Sequence, residues 1–266
     1  MNLKKKTAIV TGAGRGLGRS IAETMASQGA AVVLVSRTRK QLQEVADTIH
    51  SNSGQALASP VDIRDEKEIS KMVETTYNTF GSIDILVNNA GIIGPANFLN
   101  PENEKAWLET MDINLNGTWR CTQAVIPYMM KNKTSSGGKI INVVSGLGNR
   151  PFPRFCAYAA SKAGMIQMTR SLSLELAPAN IQINAIDPGV MDTPMQSEIR
   201  SMGRDQLGDD IFERFSKLHE NNLLKDPNKV AALALFLASK QADHLTGETG
   251  TLDQYAEKND NFSVPD

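Results

Sequence analysis

Tyr158 and Lys162 stand four residues apart in the run Tyr158-Ala-Ala-Ser-Lys162. On a helix, positions i and i+4 share a face, so a phenol and an ammonium at this spacing converge on one point. A nearby cation favours phenolate over phenol, which makes a tyrosine a usable proton donor or acceptor near neutral pH. The same pair on a solvated helix would be plain neighbours, so the rest of the chain has to supply the context.

A second chemistry lies near the start. Thr11-Gly12-Ala13-Gly14-Arg15-Gly16-Leu17-Gly18 joins an apolar run to an amphipathic one. Glycines there permit a tight turn and close approach of a pyrophosphate, and the following helix offers free N–H groups and a positive dipole end. The spacing is T-G-x-x-x-G-x-G rather than G-x-G-x-x-G. The next apolar run ends in Val35-Ser36-Arg37, where a binder of NAD commonly carries an acidic residue for the ribose 2′-OH. Arg37, with Arg15 in the glycine loop, offers two guanidinium groups that suit a 2′-phosphate. The reading is NADP(H) rather than NAD(H).

These groups need a scaffold. Short β-rich apolar runs occur at Thr7–Val10, Ala31–Val35, Gln55–Ala58, Ile83–Val87, Lys139–Val144 and Ile181–Ile186. Their near-continuous apolar character predicts strands buried on both faces of a parallel sheet. Amphipathic stretches alternate with them at Leu17–Ser27, Arg39–Ser51, Asp65–Thr79, Glu102–Lys131 and Ala157–Ala177, and Gly29, Gly54 and Gly81 sit where helices should stop. The rhythm predicts an α/β fold: a doubly wound parallel sheet (Rossmann fold), helices on both faces, strand order 3-2-1-4-5-6-7. One domain over residues 1–266 is expected, interrupted by a helical flap at about 191–222 that carries Met191, Met195, Ile199, Met202, Phe212 and Phe215.

Composition narrows the classes. With 266 residues, 41% hydrophobic, the chain can bury one large core, and a net charge of −1 argues against nucleic-acid binding. Lys4-Lys5-Lys6 reads as a solvated terminus. No apolar run reaches spanning length, so no membrane association is expected. Two distant cysteines, Cys121 and Cys156, suit a reducing cytoplasm, and His50, His219 and His244 lack metal-ligand spacing, so no metal is expected.

With these residues in order the sequence resembles the short-chain dehydrogenase/reductase family, from about Lys6 to Leu252. The resemblance rests on the glycine loop, Asp62 after the third strand, Asn88-Asn89-Ala90-Gly91 after the fourth, Asn114 in Ile113-Asn114-Leu115-Asn116-Gly117, Ser145 after the fifth, the Tyr158/Lys162 pair, and Pro188-Gly189 after the sixth. It implies a catalytic set of Asn114, Ser145, Tyr158 and Lys162. Tyr158 would pass a proton to or from the substrate oxygen, Ser145 would hold that oxygen, Lys162 would bind the nicotinamide ribose, and Asn114 would begin a proton relay. Gly12, Arg15, Gly16, Leu17, Gly18 and Arg37 would bind the phosphate side of the cofactor. Asp62 and Ile63 would meet the adenine, and Asn89, Ala90 and Gly91 the adenine ribose. Pro188, Gly189, Val190 and Thr193 would fix the nicotinamide. Taken alone, Ser145 is a turn serine and Asn114 a capping residue; Asp62 could cap a helix, although Asp65 is the better placed cap.

The implied activity is NADPH-dependent reduction of a ketone or aldehyde to an alcohol. A 3-ketoacyl-thioester reductase is one alternative and a non-enzymatic NADP-sensing protein another. By position, Ser145, Leu147, Pro153, Arg154, Phe155, Gly189 and the flap from Met191 should line the substrate pocket, a mostly apolar surface with adaptable methionines. Arg154 reads as an exposed, salt-bridging arginine and Cys156 as a small buried side chain. The end departs from the family pattern Val-Asp-Gly-Gly: the text is Leu252-Asp253-Gln254-Tyr255, followed by a polar tail over Ala256–Asp266. The last strand is therefore expected to be short or irregular. A homo-oligomer is expected, a tetramer or dimer, packing the helices of Glu102–Lys131 and Ala157–Ala177 across a two-fold axis.

Overall fold

The computed structural model describes residues 1–100, 103–132, 137–260 and 262. Seven parallel strands form one sheet: β1 (Thr7–Thr11), β2 (Ala31–Ser36), β3 (Gln55–Pro60), β4 (Ile85–Asn88), β5 (Gly138–Val143), β6 (Ile181–Ile186) and β7 (Thr249–Gly250). Their order is β3-β2-β1-β4-β5-β6-β7, as the alternation of apolar and amphipathic runs predicts. Successive side chains on a strand point to opposite faces, and here both faces are covered. Ala8, Val10, Val32 and Leu34 pack into one core, while Ile9, Val33 and Val35 pack into the other. That two-sided burial is why the strands read as continuous apolar runs. β3 departs from it: as an edge strand it is only partly buried.

On one face lie α1 (Gly16–Ser27), α2 (Arg39–Ser51) and α10 (Pro227–Ala238). On the other lie α3 (Glu66–Phe80), α5 (Gly117–Met129) and the C-terminal end of α6 (Cys156–Leu176). Asp65 caps α3, accepting from the N–H groups of Lys67 and Glu68, and Gly81 ends it at φ 79°, a left-handed conformation that favours glycine. Lys6 is not a solvated terminal charge: its Nζ lies 2.8 Å from Asp84, whose side chain is almost fully buried.

The long helix expected from Glu102 to Lys131 is broken. Glu102 itself lies outside the described residues; α4 (Glu104–Met111) runs into a π-turn at Asp112–Asn116 before α5 begins. α10 has no counterpart among the amphipathic stretches. Asp226 caps it, Pro227 opens it, and Val230–Ala238 is apolar on nearly every side because the helix is buried all round.

Beyond β6 the chain forms α7 (Pro194–Ser201), α8 (Gly203–Leu207) and α9 (Asp209–Glu220). Ile199, Leu207 and Phe215 from these helices pack with Phe155, Tyr158, Ile93 and Ala96 in a separate apolar cluster. β7 is two residues long, as expected of the altered ending, and α11 (Leu252–Lys258) follows at once. Thr251 and Gln254 form a reciprocal capping box at its start. Tyr255 anchors it, donating to the Ala185 carbonyl at 3.1 Å. Of the polar tail, residues 261 and 263–266 lie outside the described residues.

Candidate active site

A cleft of about 430 Å³ opens at the C-terminal ends of β1, β2, β4, β5 and β6, where open α/β sheets bind ligands. Gly12, Arg15, Gly16, Leu17, Arg37, Asp62, Ile63, Asn89, Ala90, Gly91, Tyr158, Lys162, Pro188 and Thr193 all line it. Residues from six separate stretches of sequence thus meet on one surface.

At one end, α1 points its N-terminus into the cleft. Arg15 occupies the cap position with no side-chain hydrogen bond to the helix, and no acidic residue stands in the first turn. The opening N–H groups and dipole remain available to an anion. The loop has no room for side chains on its inner side. A Cβ on Gly12, at φ 65°, would meet Asn89 Nδ2 at 2.7 Å. Gly18 does not face the cleft; it packs beneath the loop, where a Cβ would collide with the Gly12 carbonyl oxygen and the Asn89 side chain. Gly18→Ala should therefore force the loop apart, lowering stability by roughly 1–3 kcal/mol and weakening nucleotide binding together. A denaturation midpoint equal to wild type would contradict this packing.

Asn89 ties β4 to the loop: its Nδ2 donates to the Thr11 carbonyl at 3.0 Å, and its backbone N–H and that of Ala90 donate to Thr11 Oγ1. Asp62 is engaged by Arg64, with Nη2–Oδ2 at 2.6 Å, and these hydrogen bonds hold its carboxyl below the usual range. Arg37 is exposed and has no ion-pair partner among the described residues, while Arg15 Nη2 lies 2.7 Å from Glu198 of α7.

At the other end, α6 presents Tyr158 and Lys162 on its buried face. Lys162 Nζ donates to the Val143 carbonyl at 2.7 Å and contacts Met165 Sδ at 3.5 Å. An ammonium has three N–H donors, so at least one is left for the cleft. Ser145, beyond β5, hydrogen-bonds the Tyr158 phenol. It is a turn serine as well, since its Oγ accepts from Leu147 N at 3.2 Å.

Asn114 sits in the π-turn, fully buried. Its Oδ1 accepts from Ile92 N at 2.8 Å, and its Nδ2 donates to the Ile92 carbonyl and to Ser161 Oγ. Ser161 Oγ in turn donates to the Tyr158 carbonyl. A Cβ on Gly91 would lie 3.2 Å from Asn114 Oδ1 and 3.6 Å from Lys162 Nζ, so the Gly91 backbone runs close against both groups. The amide is thus no helix cap; it joins α6 to the end of β4.

The electrostatics differ from the simple expectation. Burial pushes the Tyr158 phenol up to about 12; the Ser145 hydrogen bond opposes that rise and the Asp187 charge adds to it. Lys162 brings no lowering. Its Nζ lies 5.6 Å from the Tyr158 ring centroid and is hydrogen-bonded elsewhere, and burial brings its own ammonium down to about 7.

Other expectations need correction. Gly189 and Val190 do not line the cleft: Gly189 backs onto the Lys225 side chain and Val190 joins the apolar cluster under α7–α9. Phe155 is fully buried, stacked 5.9 Å from Phe152 and edge-on to Phe215, so it builds the wall rather than facing a ligand. Cys156 is exposed, because the first turn of α6 turns Phe155, Ala157 and Tyr158 inward. Arg154 is half-buried at φ 75° with no ion pair among the described residues, and its guanidinium lies against Gly208. Met191 and Met195 do line the cleft. So do Gln41 and Glu198, which carry no motif and were reachable only through the fold.

A glycine-loop helix terminus thus lies at one end of the cleft and a buried Tyr/Lys pair at the other. The sequence profile of the short chain dehydrogenase family matches residues 6–204, and the chain belongs to that family. The oxidoreductase UcpA of Salmonella typhimurium is 36% identical over 252 residues, 94% of each chain. The 3-oxoacyl-(acyl-carrier-protein) reductase FabG of Thermotoga maritima is 34% identical, over 95% of this chain and 98% of that one. The crystal structure of a 3-ketoacyl-(acyl-carrier-protein) reductase from Brucella melitensis complexed with NADH superposes with a TM-score of 0.82 at 32% identity, covering 94% of this chain and 97% of that one.

Proposed function

We propose that this protein is an NADPH-dependent carbonyl reductase, converting a ketone or aldehyde to an alcohol, with Tyr158 as general acid. The observation that carries the reading is the convergence of Tyr158 and Lys162 on the cleft whose other end displays the α1 N-terminus, Arg15 and Arg37, with Ser145 at the Tyr158 phenol. The uncapped helix terminus, a glycine loop closed to side chains and a buried lysine with a spare N–H all fit a dinucleotide. When bound, its nicotinamide supplies a hydride to the carbonyl carbon.

The chain supplies position and the proton. Ser145 Oγ holds the carbonyl oxygen, and Tyr158 donates its phenolic proton to that oxygen as negative charge develops there. A phenol held near 12 is fully protonated at neutral pH, which suits the reducing direction. Lys162 binds the nicotinamide ribose, and Asn114, beyond Gly91, starts the path that returns the proton. Asp62 and Ile63 take the adenine, with Asn89, Ala90 and Gly91 at its ribose. Pro188 and Thr193 seat the nicotinamide. α7–α9 act as the flap, with Met191 and Met195 toward an apolar substrate. Leu108, Trp119 and Leu174 on α4–α6 are exposed, apolar surface of the kind a second copy would cover.

A 3-ketoacyl thioester is the second reading, favoured by the likeness to the Thermotoga maritima reductase. Against a carrier-borne substrate stands the charge of α7–α9. Arg200, Arg204, Arg214 and Lys217 there are outnumbered by Glu198, Asp205, Asp209, Asp210, Glu213 and Glu220, and Arg204 is already paired with Asp209 and Glu213. NADPH oxidation with small diketones, cyclic ketones and acetoacetyl thioesters separates the two: free ketones should turn over, and activity confined to carrier-bound thioesters would favour the second. For the cofactor, Arg37→Asp should weaken NADPH binding roughly tenfold or more and leave NADH nearly unchanged. Equal loss for both would remove the NADP assignment.

A further inference from the structure

Glu198 has no part in the chemistry above, yet it lines the cofactor cleft with Arg15. Its Oε1 lies 2.7 Å from Arg15 Nη2. The approach is built into the backbone. A Cβ on Gly16 would lie 3.5 Å from both Pro194 Cδ and Thr193 Cβ, so the first turn of α7 rests directly on the glycine loop. One helical turn further on, α7 delivers the Glu198 carboxylate to the guanidinium. The pair is half-exposed, with side-chain accessibilities of 55% and 45%. Exposed pairs of this kind contribute little and exchange partners readily.

That exchange has a consequence for nucleotide choice. A 2′-phosphate brought to Arg37 and Arg15 must take Arg15 from Glu198 and stand close to its carboxylate. A ribose with a free 2′-hydroxyl meets no such competition. Resting on the placement of Arg15 at the 2′-phosphate proposed above, we infer that Glu198 is a cofactor-discriminating residue. By engaging Arg15 it weakens binding of nucleotides that carry a 2′-phosphate, leaves those without one unaffected, and so narrows the preference for NADPH over NADH.

The test is calorimetric titration of the cofactor-free protein with 2′,5′-ADP and with ADP. It compares wild type, Glu198→Gln, Arg15→Ala and the double variant, with Glu198→Asp as a second, milder change. Glu198→Gln should tighten 2′,5′-ADP about threefold and leave ADP unchanged. Glu198→Asp should follow in the same direction. The gain should vanish in the Arg15→Ala background and shrink at high salt. A gain shared equally by both nucleotides, one that survives without Arg15, or no gain at all would overturn the inference. If wild type favours 2′,5′-ADP and Glu198→Gln does not change that ratio, only the role of Glu198 fails. If wild type binds both nucleotides alike and neither Arg15→Ala nor Arg37→Asp alters 2′,5′-ADP binding, the NADP reading fails with it.

Discussion

Tyr158→Phe is expected to reduce turnover by roughly a thousandfold, within the range that general acid–base groups contribute, while leaving the dissociation constant for NADPH almost unchanged. The substitution removes one hydroxyl and keeps the ring that packs with Phe155, Ile93 and the flap helices, so the fold has little reason to respond. Ser145 loses its phenol partner but keeps its bond from Leu147 N. Turnover and cofactor affinity are therefore separable here. Stopped-flow measurement of NADPH binding beside steady-state kinetics reads both. Unchanged turnover would mean that the proton comes from elsewhere, and a parallel loss of binding would mean that Tyr158 is structural.

Lys162→Met should stabilise the cofactor-free protein at and below neutral pH, by an amount on the order of 3 kcal/mol, and should cost most of its activity. Lys162 is buried, and burial brings its ammonium down from 10.5 to about 7. In the unfolded chain it keeps the ordinary value. Between about 7 and 10.5 the unfolded state therefore binds more protons than the folded one, and stability rises with pH across that window. Below it, the wild type bears the full cost of burying a cation. A methionine bears none and fills a similar volume. The advantage of the variant should be greatest near pH 6 and shrink as pH climbs toward 10.5. Urea unfolding at several pH values would show it. A gap that stays constant with pH would mean that Lys162 is not strained by burial. Tyr158 acts at the far end of the scale: raised from 10.0 to about 12, it adds stability that is complete below 10.0 and is lost as pH rises through 12.

Much of this was legible because it rests on local rules. Runs such as Ala31–Val35 and Ile181–Ile186 are too short and too apolar for anything but central strands, and they are strands at nearly those bounds. Asp65 and Gly81 mark the ends of α3 because an N-cap and a left-handed C-terminus each demand particular residues. The elements that escaped notice obey long-range constraints. α10 lacks amphipathic periodicity because the core surrounds it. The π-turn at Asp112–Asn116 is stabilised by the reach of Asn114 to Ile92, a contact between distant parts of the chain. α11 replaces the rest of the last strand because Thr251 and Gln254 cap a helix there.

The site divides in the same way. Tyr158, Lys162 and the glycine loop announced themselves by type and spacing. The acceptor that holds Lys162, the Val143 carbonyl, is a backbone atom with no sequence signature. Glu198 reaches Arg15 only because α7 folds back over the loop, and Cys156 and Phe155 exchange their expected environments because the start of α6 fixes which way each points. Electrostatics were the least legible. A tyrosine beside a lysine reads as an activated phenol, but Lys162 is hydrogen-bonded elsewhere, burial governs the phenol, and the cofactor-free site holds a protonated acid.

The most direct test of the central claim is transfer of deuterium from NADPH labelled at the nicotinamide C4 to a carbonyl substrate, followed by mass spectrometry of the product. The account predicts one deuterium on the new carbinol carbon, a solvent-derived proton on its oxygen and one equivalent of NADP⁺ formed. NADPH that binds but passes no label to any ketone, aldehyde or thioester offered would contradict it.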